Sequence, residues 1–334
     1  MLFFDFEKPL LELEKKIAEL QRFALEKEID LADEIFKLEQ RADQLRESIY
    51  ENLEPWQCAQ VARHPERPNF YDYIPYLFED FIELHGDRHY ADDQAIVGGI
   101  AVFKGIPVTV VAHVKGKDTK ENLQRNFGMP RPEGYRKALR LMDQAEKFKR
   151  PILTFVDTPG AACDLEAEER GQGEAIARCL IAMAGYKVPV ISAIIGEGGS
   201  GGALALAAGN VLLMLEYSFF SVITPESCAN ILWKDASRAK EAAVALKYMA
   251  KDLYQLRITD EIIKEPKGGA HRNYQQAAEE LSKSIAKHLL RLRAETPEAI
   301  REKRYEKIRA IGVFNEGFST EEGCSAEAEN EASD

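Results

Sequence analysis

VPVISAIIGEGGSGGALALAAGNVLLMLEYSFFSVI, from Val188 to Ile223, decides the fold of this chain. VISAII and VLLML are apolar throughout, without the polar alternation of a half-exposed strand, so each predicts a strand covered on both faces. Between them SGGALALAAG predicts a helix opened by glycine, and VLLMLEYSFFSVI reads as one strand leaving it. A similar unit precedes it: PILTFVDTPGA (Pro151 to Ala161) predicts strand and turn, and GEAIARCLIAMAGYK (Gly173 to Lys187) predicts helix. Earlier still, GYRKALRLMDQAEKFK reads as helix, while AIVGGIAVF and IPVTVVAHV, separated by Lys104 and Gly105, predict a hairpin with a two-residue turn. Buried strands alternating with helices make residues from about 95 to 265 one α/β unit.

Outward from this unit the period changes. Leu10, Leu13, Ile17 and Leu20, then Leu31, Ile35, Leu38, Ala42, Leu45 and Ile49, recur at helical spacing on either side of a charged break from Glu26 to Asp30. They predict an N-terminal helical hairpin whose apolar stripe needs a partner, either the main domain or another subunit. Residues 55 to 75 hold four prolines and mark a passage, with the boundary near Pro55. YQQAAEELSKSIAKHLLRLR and PEAIREKRYEKIRAIG predict two further helices before an acidic end. The division implied is 1–54 hairpin, 55–294 main domain, 295–317 C-terminal helix and 318–334 disordered tail.

The 334 residues carry 44 Lys and Arg against 56 Asp and Glu, a net charge of -12, the wrong sign for a protein that coats a nucleic-acid backbone. Residues 321–334 alone supply six acids and no base, with no large apolar side chain to order them. Residues 115–150, by contrast, hold 11 bases against 5 acids, which admits an anionic small partner or a pair of solvated helix faces. Cys58, Cys163, Cys179, Cys228 and Cys324 are widely spaced with no C-x-x-C pair, so neither zinc nor a redox dithiol is expected, and a cytoplasmic protein is. No stretch has the roughly 20 apolar residues of a membrane span.

The loop Gly196 to Ala203 is the strongest site signal. Glycines after a buried strand and before a helix let backbone amides approach a ligand at the positive end of the helix dipole. Gly196, Gly198 and Gly201, with Glu216 some twenty residues on, fit a dinucleotide fingerprint, although the unit lies late in its domain and no second nucleotide-binding half follows. Gly198, Ser200 and Gly202 fit a nucleophile elbow, with His271 or His288 as the available histidine; His288 reads as a solvated helix residue. The phosphate-loop pattern fails for want of Gly-Lys-Ser/Thr. A further reading needs neither phosphate nor serine: amides such as those of Gly201 and Gly202 form an oxyanion hole.

ARHPERP (Ala62 to Pro68), GDRHYADDQAIVGGI (Gly86 to Ile100), RNFGMPRPEGYRKALRLM (Arg125 to Met142), DTPGA (Asp157 to Ala161), AEERGQGEAIA (Ala167 to Ala177), IGEGGSGGALA (Ile195 to Ala205), ILWK (Ile231 to Lys234) and EPKGGAHRN (Glu265 to Asn273) stand in one order along the chain. In these segments the sequence resembles the alpha-subunit family of the multi-subunit acetyl-coenzyme A carboxylase carboxyltransferases, from residue 1 to about 315. The resemblance implies an α/β fold, a crotonase-like spiral of ββα units. It implies a homologous beta subunit that carries the zinc ribbon, an α2β2 assembly with the active site between unlike subunits, and no metal in this chain. Carboxybiotin, borne on the biotin carboxyl carrier protein and loaded by biotin carboxylase, would give its carboxyl group to acetyl-CoA to form malonyl-CoA for fatty acid synthesis. On this pattern the amides of Gly201 and Gly202 hold the biotin oxygen, and Gly198, Gly199, Ser200, Gly160 and Ala161 border the substrates. Arg125 and Arg136, in the basic segment, are expected beside coenzyme A phosphates or the carrier.

Two segments depart from the family pattern. After DTPGA the usual Tyr-Pro-Gly is replaced by Ala162, Cys163, Asp164, Leu165 and Glu166, and the usual Ser-Pro-Glu-Gly-Cys-Ala-Ser by Thr224 to Asn230. Acids beside an anionic substrate would repel it, so either the loop points away or the chain is a divergent, non-catalytic scaffold subunit. Cys163 reads as a small loop residue, with no basic neighbour to activate it.

Overall fold

In a computed structural model of the chain, residues 4–312 are described. One sheet runs through them, built from β1 (Glu79–Glu83), β2 (Ile96–Phe103), β3 (Ile106–His113), β4 (Ile152–Thr158), β5 (Val190–Gly199), β6 (Val211–Leu215), β7 (Phe219–Ser221) and β8 (Glu261–Ile263). Their order is β1-β2-β3-β4-β5-β6-β8, with β7 pairing to β5 off this path. β1, β2 and β3 are antiparallel, and every pairing from β3 onward is parallel. The turn between β2 and β3 is the expected two-residue one, Lys104 and Gly105 both having positive φ (47° and 76°), as a right-twisted hairpin requires.

Alternate strand residues feed two cores. Val110, Ala112, Leu153, Phe155, Ile191 and Ala193 face the helices Phe70–Leu77 and Tyr274–Arg293. Val111, Ile152, Val156, Val190, Ile194 and Leu212 face the helices Pro132–Lys147, Gln172–Gly185 and Ser200–Ala207. Coverage on both faces explains why these strands read as continuous apolar runs.

Several sequence expectations change. The sheet opens one strand earlier than the hairpin: β1 is an edge strand, mostly exposed, whose EDFIE alternation belongs to a half-solvated position. VLLMLEYSFFSVI is two strands, because the chain turns at Glu216–Ser218, where Ser218 donates through both its N and its Oγ to the Leu215 carbonyl. β6 then pairs with Ile191–Ile194 of β5 and β7 with Glu197–Gly199, so the strand is held both at its start and where it runs into the glycine loop. The proline-rich passage contains two helices, Pro55–Ala62 and Phe70–Leu77, begun by proline at N1 and by an Asn69 cap respectively.

The N-terminal helices Lys8–Lys27 and Ala32–Glu51 pack on each other through Leu10, Ile17 and Ala42. Tyr50 and Leu53 join them to Val61 of the main domain. At the other end, helix Pro297–Arg309 is fixed by the buried Arg304, which donates to the carbonyls of Met183, Tyr186 and Val188 and to Asn210 Oδ1. With no carboxylate bonded to it, burial pulls the Arg304 pKa down to about 10. The tail from 318 to 334, with Cys324, lies outside the described residues. Among those described, no helix is long and apolar enough to cross a membrane.

Candidate active site

The ends of β4 and β5 bring the two expected loops into backbone contact. A Cβ on Gly199 would stand 2.0 Å from the Pro159 carbonyl oxygen, and one on Gly202 would stand 2.5 Å from the Ala161 nitrogen. Only glycine allows that approach, which is why GEGGSGG and DTPGA must meet. Gly160 itself has φ +153°, open to glycine and rare for other residues. Helix Ser200–Ala207 starts at this crossing, so the amides of Ser200, Gly201 and Gly202 occupy its first turn, where no carbonyl of the same helix can accept from them.

Gly201 differs from its neighbours. A Cβ there would meet only Ile176 Cγ2, at 3.9 Å. Beside it opens an apolar cavity of about 390 Å³, bordered by Ser200, Gly201, Leu204, Phe220, Val222 and Leu256, with Lys247 the one charged residue among its walls. No histidine or carboxylate lines it. Backbone donors beside an apolar recess are what this end of the sheet offers, an arrangement suited to stabilising a developing oxyanion.

The charged groups lie on the other side of the strand ends. Asp157 Oδ1 accepts from the Glu197 amide at 2.9 Å, Lys115 bridges Asp157 (2.8 Å) and Glu197, and Arg63 bridges Glu197 and Glu226. Burial alone would raise the Glu197 carboxyl, but Lys115 and Arg63 outweigh it and hold the pKa below the ordinary glutamate value. Burial likewise works against the Lys115 charge, and Asp157 and Glu197 overcome it. This network was not singled out in the sequence; an acid inside the glycine loop and a lysine ending an apolar strand were its only signals.

Gly198, Gly199, Ser200, Gly201, Gly202, Gly160 and Ala161 thus converge, and Arg125 and Arg136 do not join them. Arg125 reaches the Gln94 carbonyl and lies over the Tyr71 ring, while Arg136 donates to the Arg170 carbonyl. Much of the basic segment is spent in this way, with Lys117 on Asp72, Arg131 on Asp164 and Lys137 on Asp92. The nucleophile reading of Ser200 fails, since His271 stacks on His64 and His288 bonds Glu261; His288 is buried, not solvated. The dinucleotide reading fails as well, because the parallel strands β3-β4-β5-β6-β8 follow sequence order without the reversal that makes a dinucleotide crevice.

The departing loop also has a definite place. Asp164 caps helix Leu165–Glu169 by accepting from Ala167 N and pairs with Arg131, and Glu166 pairs with Arg170. Both acids are thus paired with arginines of this chain. In the second departing segment Thr224 caps helix Pro225–Trp233 by accepting from Ser227 N. Cys163 is exposed, Cys58 and Cys179 are buried, and all three are free thiols.

Residues 3–312 match the family described as acetyl co-enzyme A carboxylase carboxyltransferase-like. The acetyl-coenzyme A carboxylase carboxyl transferase subunit alpha of Desulfitobacterium hafniense is 70% identical over 313 residues, covering 94% of this chain and 98% of that one. The chain belongs to this carboxyltransferase family. Another alpha-subunit relative, from Listeria monocytogenes, is 60% identical over 93% of this chain and 98% of its own. Among solved structures, the beta subunit of geranyl-CoA carboxylase from P. aeruginosa superposes with a TM-score of 0.54 at 15% identity, covering 74% of this chain and 46% of that one. Transcarboxylase 12S gives 0.52 at 18% identity, covering 67% and 44%. A Pseudomonas malonate decarboxylase hetero-tetramer gives 0.54 at 18%, covering 65% and 86%. At such identities the likeness speaks for the fold, and that fold is the crotonase-like one expected for the carboxyltransferase family.

Proposed function

We propose that this chain is the alpha half of an acetyl-CoA carboxylase carboxyltransferase, which moves the carboxyl group of carboxybiotin to acetyl-CoA to give malonyl-CoA. The observation that carries the reading is the glycine crossing, where Gly199 and Gly202 press on Pro159 and Ala161 and leave first-turn amides beside an apolar recess whose walls hold no carboxylate or histidine. Carboxybiotin is a substrate here, and an apolar recess of about 390 Å³ beside backbone donors suits a compact ring that bears one polar oxygen.

Loss of the carboxyl group leaves negative charge on the ureido oxygen of biotin. The amides of Gly201 and Gly202 would donate to that oxygen, with Gly198, Gly199, Ser200, Gly160 and Ala161 shaping the approach. A donor aimed where charge grows lowers the barrier and not merely the binding energy. Proton abstraction from the acetyl group would then fall to the biotin oxygen itself, the acetyl carbanion so formed would add to the released CO2 to give malonyl-CoA, and no side-chain base is needed from this chain. A homologous beta subunit would supply the thioester site and complete an α2β2 tetramer, served by the carrier protein and biotin carboxylase in the cytoplasm as part of fatty acid synthesis. Residues 55–294 would form the carboxyltransferase domain, with 1–54 as a hairpin, 295–317 as a docked C-terminal helix and 318–334 as a tail.

The test is carboxyl transfer by this chain mixed with its beta subunit, from malonyl-CoA to biotin or in the forward direction. Activity confined to the mixture is expected. A stable complex with no transfer in either direction would refute the catalytic role.

A further inference from the structure

Behind Gly202 the protein buries the Tyr135 hydroxyl without a hydrogen-bond partner, beside the ring of His113, which reaches the Gly202 backbone. Both side chains are at 0% exposure. Their rings meet edge to face with centroids 6.3 Å apart. The hydroxyl lies 2.7 Å from the point where a Gly202 Cβ would stand, and that same point is 2.5 Å from Ala161 N and 2.7 Å from the Gly160 carbonyl carbon. One hydroxyl therefore presses where both site-bearing backbone segments meet. Alongside, Gln172 ties the Pro130 and Ala162 carbonyls together through Nε2 while its own Oε1 has no partner.

A buried polar atom without a partner lowers stability, and an apolar side chain of similar shape would avoid that penalty. Such atoms gathered behind one pair of backbone loops call for a use at that place. We propose that Tyr135, seated with His113 behind Gly202, is a positioning residue for carboxyl transfer, its hydroxyl setting the spacing between the first turn of the glycine helix and the Gly160–Ala161 loop. The inference rests on the function proposed above. His113 fits as a neutral spacer: burial first, and the Lys115 charge second, outweigh its hydrogen bond with the Gly202 backbone and push its pKa down to about 3, so the wall behind the site gains no proton across the working range. Removing the hydroxyl leaves an oxygen-sized gap against Gly202, into which the turn can settle by a fraction of an ångström. Catalysis by fixed backbone donors is sensitive to displacements on that scale.

The test is Tyr135→Phe, assembled with the beta subunit and compared with the unsubstituted complex for kcat, both KM values and the thermal midpoint. A kcat lowered roughly tenfold, with each KM within about twofold, is expected from a small displacement of the donors. The midpoint should stay level or rise, because the uncompensated hydroxyl is gone. A kcat within about twofold of the original overturns the proposal. So does a joint fall of kcat and midpoint, which marks the hydroxyl as a packing element with a partner of its own. Silence of the unsubstituted complex would instead strike the proposed function, and it is measured before any substitution is made.

Discussion

Gly201→Val separates the chemistry of the glycine loop from its packing. The new Cβ meets nothing nearer than Ile176 Cγ2 at 3.9 Å, and Gly201 does not carry a positive φ, so the backbone can hold valine where it is. Within a helix, replacing glycine gains a few tenths of a kcal/mol, roughly 0.4 on the propensity scale. Folding and assembly with the beta subunit are therefore expected to be unchanged, or the thermal midpoint slightly raised. Gly201 itself borders the cavity, however, so a branched side chain there is expected to narrow the approach to the amides that would receive the oxyanion. Losing one such donor lowers kcat by about 10² to 10³, equivalent to about 2.7–4 kcal/mol of transition-state stabilisation, and a blocked approach should do at least as much. The assay is steady-state transfer by the assembled complex, with the thermal midpoint and the elution volume recorded in parallel. Transfer reduced by less than about tenfold in a properly assembled complex would show that charge does not develop at these amides.

Other substitutions probe neighbouring claims. Gly199→Ala puts a Cβ 2.0 Å from the Pro159 carbonyl oxygen, so the loops must separate; a stability loss of about 1–3 kcal/mol or more is expected in denaturant titration, and wild-type stability would disprove the contact. Asp164→Gly should leave transfer near the original rate, since the carboxylate is engaged by Ala167 N and Arg131, and a cap changed to glycine costs only about a few tenths of a kcal/mol; a large rise in rate would mean that the acid suppresses the site. Glu261 supplies a pH test. Burial works to raise its carboxyl, but bonds from Lys287, Ser284 and His288 draw it from 4.5 to about 2. A depressed acid stabilises the fold above its unfolded value, so this contribution is complete above about pH 4.5 and is lost as pH falls toward 2. Glu261→Gln should flatten that part of the acid-unfolding curve, and an unchanged curve would remove Glu261 from the account.

What the sequence disclosed follows from period and backbone. Strands covered on both faces, such as VISAII, announce themselves by apolar continuity, and the Lys104–Gly105 turn by the φ values it demands. The glycine loop was legible because few structural needs other than close backbone approach require so many glycines in succession. β1 was hidden, since EDFIE at an exposed edge has no apolar run to betray it. The break in VLLMLEYSFFSVI was hidden too, because the turn at Glu216–Ser218 is held by hydrogen bonds to Leu215 and Ile263 and contains neither glycine nor proline. A sum of charge over residues could not disclose that Arg125 and Arg136 each donate to a backbone carbonyl of this chain.

The crossing of Gly199 over Pro159 makes two loops from two different repeats into one mechanical part. Neither loop can drift, lengthen or accept a side chain at the crossing without displacing the other, so an insertion in either would be transmitted to its mate as surely as a mutation made there. Latitude returns only where the contact ends. Ala162, next to the Ala161 nitrogen that faces Gly202, is still buried and held, its amide on the Pro130 carbonyl and its own carbonyl by Gln172, whereas Cys163 beyond it is exposed. The architecture thereby marks the border between what can be re-engineered in this loop and what must be left alone, and it falls between the buried Ala162 and the exposed Cys163.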